Sequence, residues 1–145
     1  MLNYKHILLC TDLSSQAHQI ANRAKQIADD AQAKLSIIHV IEHSPVAYGG
    51  EFSIPIDVNL EQMIEKHVRD KMSELGNQLN VATEDQHIES GTVKTAVINK
   101  AKDTQADLIV VGTHGHHGLD ILLGSRANAI LHLAPCDVFV VKVKE

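Results

Sequence analysis

The sequence predicts an α/β fold, a single three-layer domain in which a five-stranded parallel sheet is flanked by four helices. Five short apolar segments alternate along the chain with four longer segments whose apolar residues recur at spacings of three and four. The first apolar run, residues 5–10, shows little alternation, as expected for a strand covered on both faces. Strict alternation of strands and helices implies right-handed crossovers, so the strands are predicted to run parallel.

The first half of the chain has predicted strands at residues 5–10 and 35–41 and predicted helices at residues 17–31 and 57–79. The first helix has small apolar residues at helical spacing, which allow close packing on a sheet. The connection before the second helix contains Gly49, Gly50 and two prolines. The expected inward face of the second helix consists of Leu60, Met63, Ile64, His67, Val68, Met72 and Leu75.

The second half has predicted strands at residues 84–90, 107–112 and 138–143 and predicted helices at residues 92–104 and 125–133. The strand at 84–90 is the more polar one, which is consistent with a sheet edge. The last strand is apolar at nearly every position, and an unpaired edge of that kind is an aggregation hazard unless it is covered. No repeat or linker divides the chain, so one domain is expected over residues 1–145.

Composition excludes several classes of protein. The 145 residues carry a formal net charge of −5, from 13 basic and 18 acidic side chains, and no run of lysine and arginine. A nucleic-acid surface is therefore not expected. The apolar runs are strand-sized, so neither a membrane span nor a signal peptide is expected. Cys10 and Cys136 lie in or beside strand-like runs and are interpreted as buried thiols of a cytoplasmic protein.

The most informative motif is GTHGHHGLDILLGS, residues 112–125, which follows an apolar run and precedes a helix-like stretch. Gly112 and Gly115 allow backbone N–H groups to approach a ligand closely. Gly124 and Ser125 open the next helix, whose N-terminal N–H groups and dipole favour an anion. The order of strand, loop and capped helix predicts a phosphate site. The alternative is that the glycines only shape a mobile loop.

A ligand crevice is predicted where the first and fourth strands end. In an open parallel sheet the ligand lies beyond the carboxyl ends of the strands, where the strand order reverses. Asp12 follows the first of these strands and Gly112 ends the other. The Asp12 carboxylate could accept hydrogen bonds from a nucleotide amine or hydroxyl. Alternatively, Asp12 or Ser14 merely caps the first helix.

Four stretches of the chain, YKHILLCTDLS, AKLSIIHVIE, DTQADLIVVGTHG and LLGSRANAILHLAPCDVFVVKV, resemble the universal stress protein family. The resemblance covers nearly the whole chain and implies a Rossmann-like fold of the adenine nucleotide alpha hydrolase type. It also implies a regulatory stress-response protein that binds ATP together with magnesium. Two copies are expected to pair through their last strands, residues 138–143, and the resemblance leaves room for a further protein partner.

The resemblance also assigns residues to parts of the nucleotide. Asp12 and the backbone of Val40 are expected to hold adenine, and Gly112 is expected at the ribose. The phosphates are expected at Gly115, Gly124, Ser125 and the backbone of Arg126. Nucleotide-binding members have about nine residues between the second and third glycines of this pattern. Here eight residues, 116–123, separate Gly115 from Gly124, which shifts the reach of the loop.

The middle of the chain gives an alternative function. The stretch IDVNLEQMIEKHV is similar to the universal stress protein A type, whose classical members lack the glycine loop and are not expected to bind ATP. The alternative is therefore a dimeric interaction module that acts without nucleotide. The glycine loop is retained in this chain, and it favours nucleotide binding.

Neither a metal site nor a catalytic residue is expected. His114, His116 and His117 lie close together, but a zinc site needs three or four converging ligands, and His117 would face away from the other two in an extended loop. No lysine of the Walker type follows the glycines, and no histidine is placed to activate Cys10. A slow ATPase is the third function class that the sequence leaves open.

Overall fold

The computed structural model describes residues 3–42, 58–113 and 125–143. These residues contain β1 (His6–Cys10), α1 (Ala17–Ala31), β2 (Lys34–Ile41), α2 (Val58–Leu79), β3 (Gln86–Ser90), α3 (Val93–Thr104), β4 (Leu108–Gly112), α4 (Ser125–Leu133) and β5 (Asp137–Val141). All the strands are parallel and lie in the order β3-β2-β1-β4-β5. The predicted fold class, a five-stranded parallel sheet with four helices, is confirmed.

The core of the described residues lies on both faces of the sheet. On one face, α1 and α2 bury side chains such as Ile20 and Met72 against Ile7 of β1. On the other face, α3 and α4 bury side chains such as Val97 against Leu8. β1 and β4 are covered on both faces, which explains their almost continuously apolar sequences. Within the part of the chain described, no helix is long and apolar enough to cross a membrane.

The first half of α2 departs from the prediction. Leu60, Met63 and Ile64 are 45%, 67% and 39% exposed, and His67 is also exposed, although all four were expected to face inward. From Val68 onward the expected inward residues are buried. Helical spacing identifies the side chains that share a face, but it does not show whether another element covers that face. The prediction was therefore wrong for the first turns of the helix and is confirmed for the rest.

Two predicted strands differ from the observed ones by two residues at one end. Residues 83–85 form a short 3-10 helix, so β3 begins at Gln86 and not at residue 84. β5 spans Asp137–Val141 and not residues 138–143. The ladder stops at this end because Val143 donates its N–H to the Thr113 hydroxyl, at 3.0 Å, and not to a backbone carbonyl. The edge strand is thus one residue longer at its start and two residues shorter at its end.

The connections into β2 and β4 begin with the same type of helix end. Gln32 after α1 and Gln105 after α3 have positive φ values of 54° and 58°. The following residue, Ala106, donates its N–H to the Ala101 carbonyl at 2.9 Å, and Ala33 makes the equivalent bond. This is the hydrogen-bond pattern of a Schellman motif, in which glycine is the usual residue with positive φ. The chain turns out of each helix and directly into a central strand.

Polar side chains hold the amino ends of the central strands together. The Asp107 carboxylate accepts hydrogen bonds from the backbone N–H groups of Lys5, at 2.9 Å, and His6, at 3.1 Å. With its proton on Nδ1, the His6 ring donates to the Thr104 carbonyl at 3.0 Å and accepts from the Ser36 hydroxyl at 2.6 Å. These bonds fix the end of the sheet that lies opposite the predicted crevice.

Candidate functional site

The predicted crevice lies where the chain changes direction across the sheet. β1 and β4 are neighbours, with β2 and β3 beyond β1 on one side and β5 beyond β4 on the other. After β1 the chain passes to α1 on one face, and the helix that follows β4, α4, packs on the other face. The carboxyl ends of β1 and β4 therefore flank a topological switch point, the usual ligand position in an open parallel sheet. The expected adjacency of the first and fourth strands is confirmed.

The turn that follows β1 is closed by its own side chains. The Thr11 hydroxyl accepts from the Leu13 N–H at 3.1 Å, and the Asp12 carboxylate accepts from the Ser14 N–H at 2.9 Å. The N-cap residue of α1 is Gln16, which makes no side-chain capping bond. The Ser14 hydroxyl accepts from the N–H of Gln16 at 3.3 Å, so Ser14 holds the residue before the helix, although neither Asp12 nor Ser14 is itself the N-cap. Asp12 is half-buried in the turn between the strand and the helix.

The end of β2 directs backbone groups toward the crevice. The Ile38 carbonyl accepts from the Thr11 N–H on the β1 side, at 3.0 Å, whereas the Ile41 carbonyl accepts from the Gly91 N–H on the β3 side, at 3.1 Å. Because these directions alternate along a strand, the N–H and C=O of Val40 face the β1 side. The pairing of β1 with β2 ends at Ile38, so the Val40 groups lie beyond the last pair. The buried Val40 side chain, 7% exposed, anchors this position in the core.

His39 connects the end of β2 to the turn. Its side chain is half-buried, and its Nδ1 lies 2.9 Å from the backbone carbonyl of Thr11, to which it donates a hydrogen bond. Neighbouring residues of a strand point to opposite faces, and Val40 packs with the core under α3 and α4. The His39 ring therefore lies on the face covered by α1 and α2, behind the backbone that borders the crevice.

The end of β4 is packed against α1 and is hydrogen-bonded to the chain at the end of β5. A Cβ on Gly112 would overlap the δ-methyl group of Ile20 in α1, so a side chain at this position would require the Ile20 side chain to shift. The next residue, Thr113, is buried and bridges to the end of β5 and the residues after it: its N–H donates to the Val141 carbonyl and its hydroxyl accepts from the Val143 N–H, both at 3.0 Å. The start of the glycine-rich segment is thus firmly attached to the sheet.

A groove of about 320 Å³ borders the turn after β1 but lies between α1 and α2. It is lined by Leu13, Ser14, Ser15, Ala17, His18, Lys71, Glu74, Leu75 and Gln78. Because it includes no residue of β2 or β4, this groove is separate from the crevice at the strand ends.

The remaining predicted site residues lie at or beyond the limits of the described chain. Gly115 and Gly124 fall outside the described residues, as do His114, His116 and His117. Ser125 and Arg126 form the first turn of α4. In the described parts of the chain, no group of three histidine, cysteine or acidic residues is placed to hold a metal ion. The structure thus brings together the ends of β1, β2 and β4, with Asp12, Val40 and Gly112.

A model of the universal stress protein family matches residues 3–142. The chain belongs to this family. It is 58% identical over 144 residues to universal stress protein A homolog 1 of Coxiella burnetii, covering 99% of this chain and 100% of that protein. It is 37% identical to universal stress protein A homolog 2 of the same organism, covering 99% of each.

Solved structures place this universal stress protein among proteins of the same fold. UspA from Lactobacillus plantarum matches with a TM-score of 0.78 and 25% identity, covering 97% of this chain and 99% of that chain. The hypothetical protein MJ0577 matches with a TM-score of 0.80 and 26% identity, covering 99% of both chains. Both likenesses extend over nearly the whole chain, in agreement with the fold class predicted from the sequence.

Sequence reasoning did not find three residues that shape the crevice of this universal stress protein. Thr11 and Thr113 are buried threonines whose hydroxyls accept backbone N–H bonds just after β1 and β4. A threonine that directly follows an apolar strand was the available signal for both. His39 is the third, and nothing in the sequence around it indicates its bond to the Thr11 carbonyl.

Proposed function

We propose that this universal stress protein binds ATP with magnesium where β1, β2 and β4 end, and that nucleotide occupancy regulates a stress response. The observation that carries the proposal is the N–H and C=O of Val40, which face the β1 side beyond the last pair of the β1–β2 ladder. Adenine has an amine donor beside a ring-nitrogen acceptor, so one residue's C=O and N–H can pair with both. Asp12 follows β1, the strand that pairs with β2, and its carboxylate is proposed as a further acceptor.

The phosphates are proposed to extend from this point toward the glycine-rich segment. Gly112 ends β4, and α4 begins at Ser125. The first N–H groups of a helix have no partner within the helix, and together with the helix dipole they favour an anion. By the resemblance to the family, Gly112 is assigned to the ribose. Gly115, Gly124, Ser125 and the backbone of Arg126 are assigned to the phosphates.

A structural relative supports the choice of an adenine nucleotide. A universal stress protein with a TM-score of 0.71 has been solved in complex with cAMP. It is 23% identical to this chain, so the likeness concerns the fold alone. It shows that this fold can hold a ligand that contains adenine. The choice of ATP in this chain rests on the glycine motif, because the residues assigned to the phosphates would have no ligand group to hold in adenosine.

We further propose that ATP is held and not rapidly turned over. Phosphoryl transfer requires positioned cations and an oriented nucleophile at the γ-phosphate. The described residues that border the crevice are mostly hydroxyls and backbone groups, together with the Asp12 carboxylate, which already accepts from Ser14. A turnover below about 1 per second, the low end of the kinase range, is expected.

The test is nucleotide binding by the intact protein. Protein purified without added nucleotide is denatured, and the released material is identified by mass spectrometry. Stripped protein is then melted with and without ATP and magnesium. ATP at one hundred times its dissociation constant should stabilise the folded state by about 2.7 kcal/mol. Gly124→Val should abolish this shift, Ser125→Ala should reduce it, and His117→Ala, in the same loop, should leave it nearly unchanged.

A nucleotide-independent dimer is the second candidate function. It is favoured by the resemblance of residues 56–68 to the universal stress protein A type. In that case the protein would release no nucleotide on denaturation and would show no melting shift with millimolar ATP. The dimer itself is common to both candidates. We propose that it forms at β5, which pairs only with β4 in the described sheet and leaves Phe139 36% exposed.

A further inference from the structure

The bond between His39 and Thr11 determines what the Val40 backbone can do. The backbone N–H and C=O of Thr11 point toward β2, because the N–H donates to the Ile38 carbonyl at 3.0 Å. A ladder continued by one more bond would join the Thr11 carbonyl to the Val40 N–H. Both residues are described, and no backbone hydrogen bond joins them. The Thr11 carbonyl accepts from His39 Nδ1 instead, at 2.9 Å.

The turn after β1 matches this arrangement. The Thr11 hydroxyl accepts from the Leu13 N–H at 3.1 Å, and Leu13 has a φ of 58°, in the left-handed region. The chain therefore leaves the sheet directly after Thr11. The His39 ring fills the hydrogen-bonding role that the next residue of the ladder would otherwise take.

We propose that His39 is a positioning residue for the nucleotide: by holding the Thr11 carbonyl, it keeps the Val40 N–H and C=O unpaired at the crevice. The inference rests on the proposed nucleotide binding, but its claim about the backbone can be measured without any ligand. Removing the ring donor would let the Val40 N–H take the Thr11 carbonyl, and β1 and β2 would pair by one more bond. The folded state would lose little stability because one hydrogen bond replaces another, while adenine would lose a backbone partner.

The experiment compares three substitutions at position 39. His39→Phe keeps a ring without a donor. His39→Asn places an amide N–H near the position of Nδ1, and His39→Gln places it near the position of Nε2. His67→Phe, at an exposed histidine of α2, is the matched control. Amide exchange at Val40 is followed by NMR in nucleotide-free protein, and the dissociation constant for ATP with magnesium is measured by calorimetry.

His39→Phe and His39→Gln should slow exchange at the Val40 amide and raise the dissociation constant for ATP, each by about tenfold, the usual effect of one hydrogen bond. His39→Asn and His67→Phe should resemble the wild-type protein in both measurements. If His39→Phe does not fold, the proposal is tested by comparing His39→Asn with His39→Gln in the same two measurements. The proposal is overturned if the Val40 amide is already protected in the wild type, or if Asn and Gln behave alike. If wild-type protein binds no ATP but Val40 exchange responds as described, the nucleotide function fails and the claim that His39 controls the Val40 backbone stands.

Discussion

Ile20 and Gly112 pack so closely that a side chain at position 112 would displace the end of the Ile20 side chain. A Cβ at Gly112 would overlap the Ile20 δ-methyl group and would stand 3.0 Å from Ile20 Cγ1 and 3.4 Å from Val143 Cγ2. An alanine at this position would therefore force the Ile20 side chain to move, and the packing of α1 on β4 favours glycine. The glycine motif thus has one member whose identity is explained without a ligand.

Gly112→Ala should lower the free energy of unfolding by about 1 to 3 kcal/mol, the usual cost of overfilling a packed core. Ile20→Val removes the obstructing methyl group, so it should recover much of that loss in the double variant. The free energy of unfolding is measured by urea denaturation for the wild type, both single variants and the double variant, which together form a double-mutant cycle. Strictly additive effects would contradict the packing explanation, because residues in contact should couple.

The proposed dimer can be located by comparing two exposed apolar sites. Phe139→Lys places a charge on the β5 edge, whereas Met63→Lys places one on α2, where Met63 is 67% exposed. We expect Phe139→Lys to give a monomer in light scattering at micromolar concentration and Met63→Lys to remain dimeric. Phe139 is a better position than the half-buried Val140, whose side chain packs into the core of its own chain. Dissociation by Met63→Lys alone would place the interface on α2.

His87 on β3 should make stability depend on pH. Its Nε2 is buried and has no hydrogen-bond partner among the described residues. Burial lowers the pKa of the His87 ring, and the charges of Lys100 and His6 lower it further, while Asp85 and Glu89 act in the opposite direction. The unfolded chain therefore takes up this proton at a higher pH than the folded chain.

The free energy of unfolding should consequently fall as the pH falls through the ordinary histidine range, near 6.5, and on toward the lowered pKa of the folded state. His87→Leu should lose less stability than the wild type between about pH 7.5 and about pH 5. It should also be more stable by about 1 kcal/mol at neutral pH, because the unpaired nitrogen is removed. Urea unfolding at both pH values measures this, with His18→Leu as an exposed control. Equal pH dependence in the wild type and His87→Leu would refute the role of His87.

Gln105 should be a site where glycine stabilises the protein. Its φ of 58° lies in the left-handed region, which costs a residue with a side chain about 1 to 2 kcal/mol. Gln105→Gly should raise the free energy of unfolding by about 0.5 to 1 kcal/mol after the added freedom of the unfolded chain is deducted. Gln105→Ala retains the Cβ and should bring no such gain. Thermal melts of the three proteins decide between these outcomes.

Periodicity and topology rules predicted the strand order around the crevice. Alternating strands and helices imply parallel crossovers, and a carboxylate after the first strand with glycine after the fourth identified which strand ends should meet. Asp12 and Gly112 do lie at neighbouring strand ends. These predictions succeeded because burial of strands on both faces leaves a strong pattern in the sequence.

Features that depend on one particular neighbour could not be predicted. The packing at Gly112 depends on Ile20, which lies on a different element and cannot be identified as a neighbour from the sequence. The hydrogen bond from His39 reaches a backbone carbonyl, and a backbone group leaves no signal in the sequence. The exposure of Met63 shows the same limit, because helical spacing says nothing about the covering element. The ends of α1 and α3 were placed correctly from apolar spacing, although glutamine and not glycine has the left-handed conformation there.

The middle strand of the sheet, β1, precedes its neighbours along the chain and is synthesised before them. β1 can pair with β2 soon after synthesis, but its other neighbour, β4, begins only at Leu108. Until that strand has emerged, one edge of β1 is open, beside side chains such as Leu8 and Leu9 that are fully buried in the finished fold. A nascent chain stopped before residue 108 cannot close its sheet, and we expect it to bind chaperones or other unfinished chains.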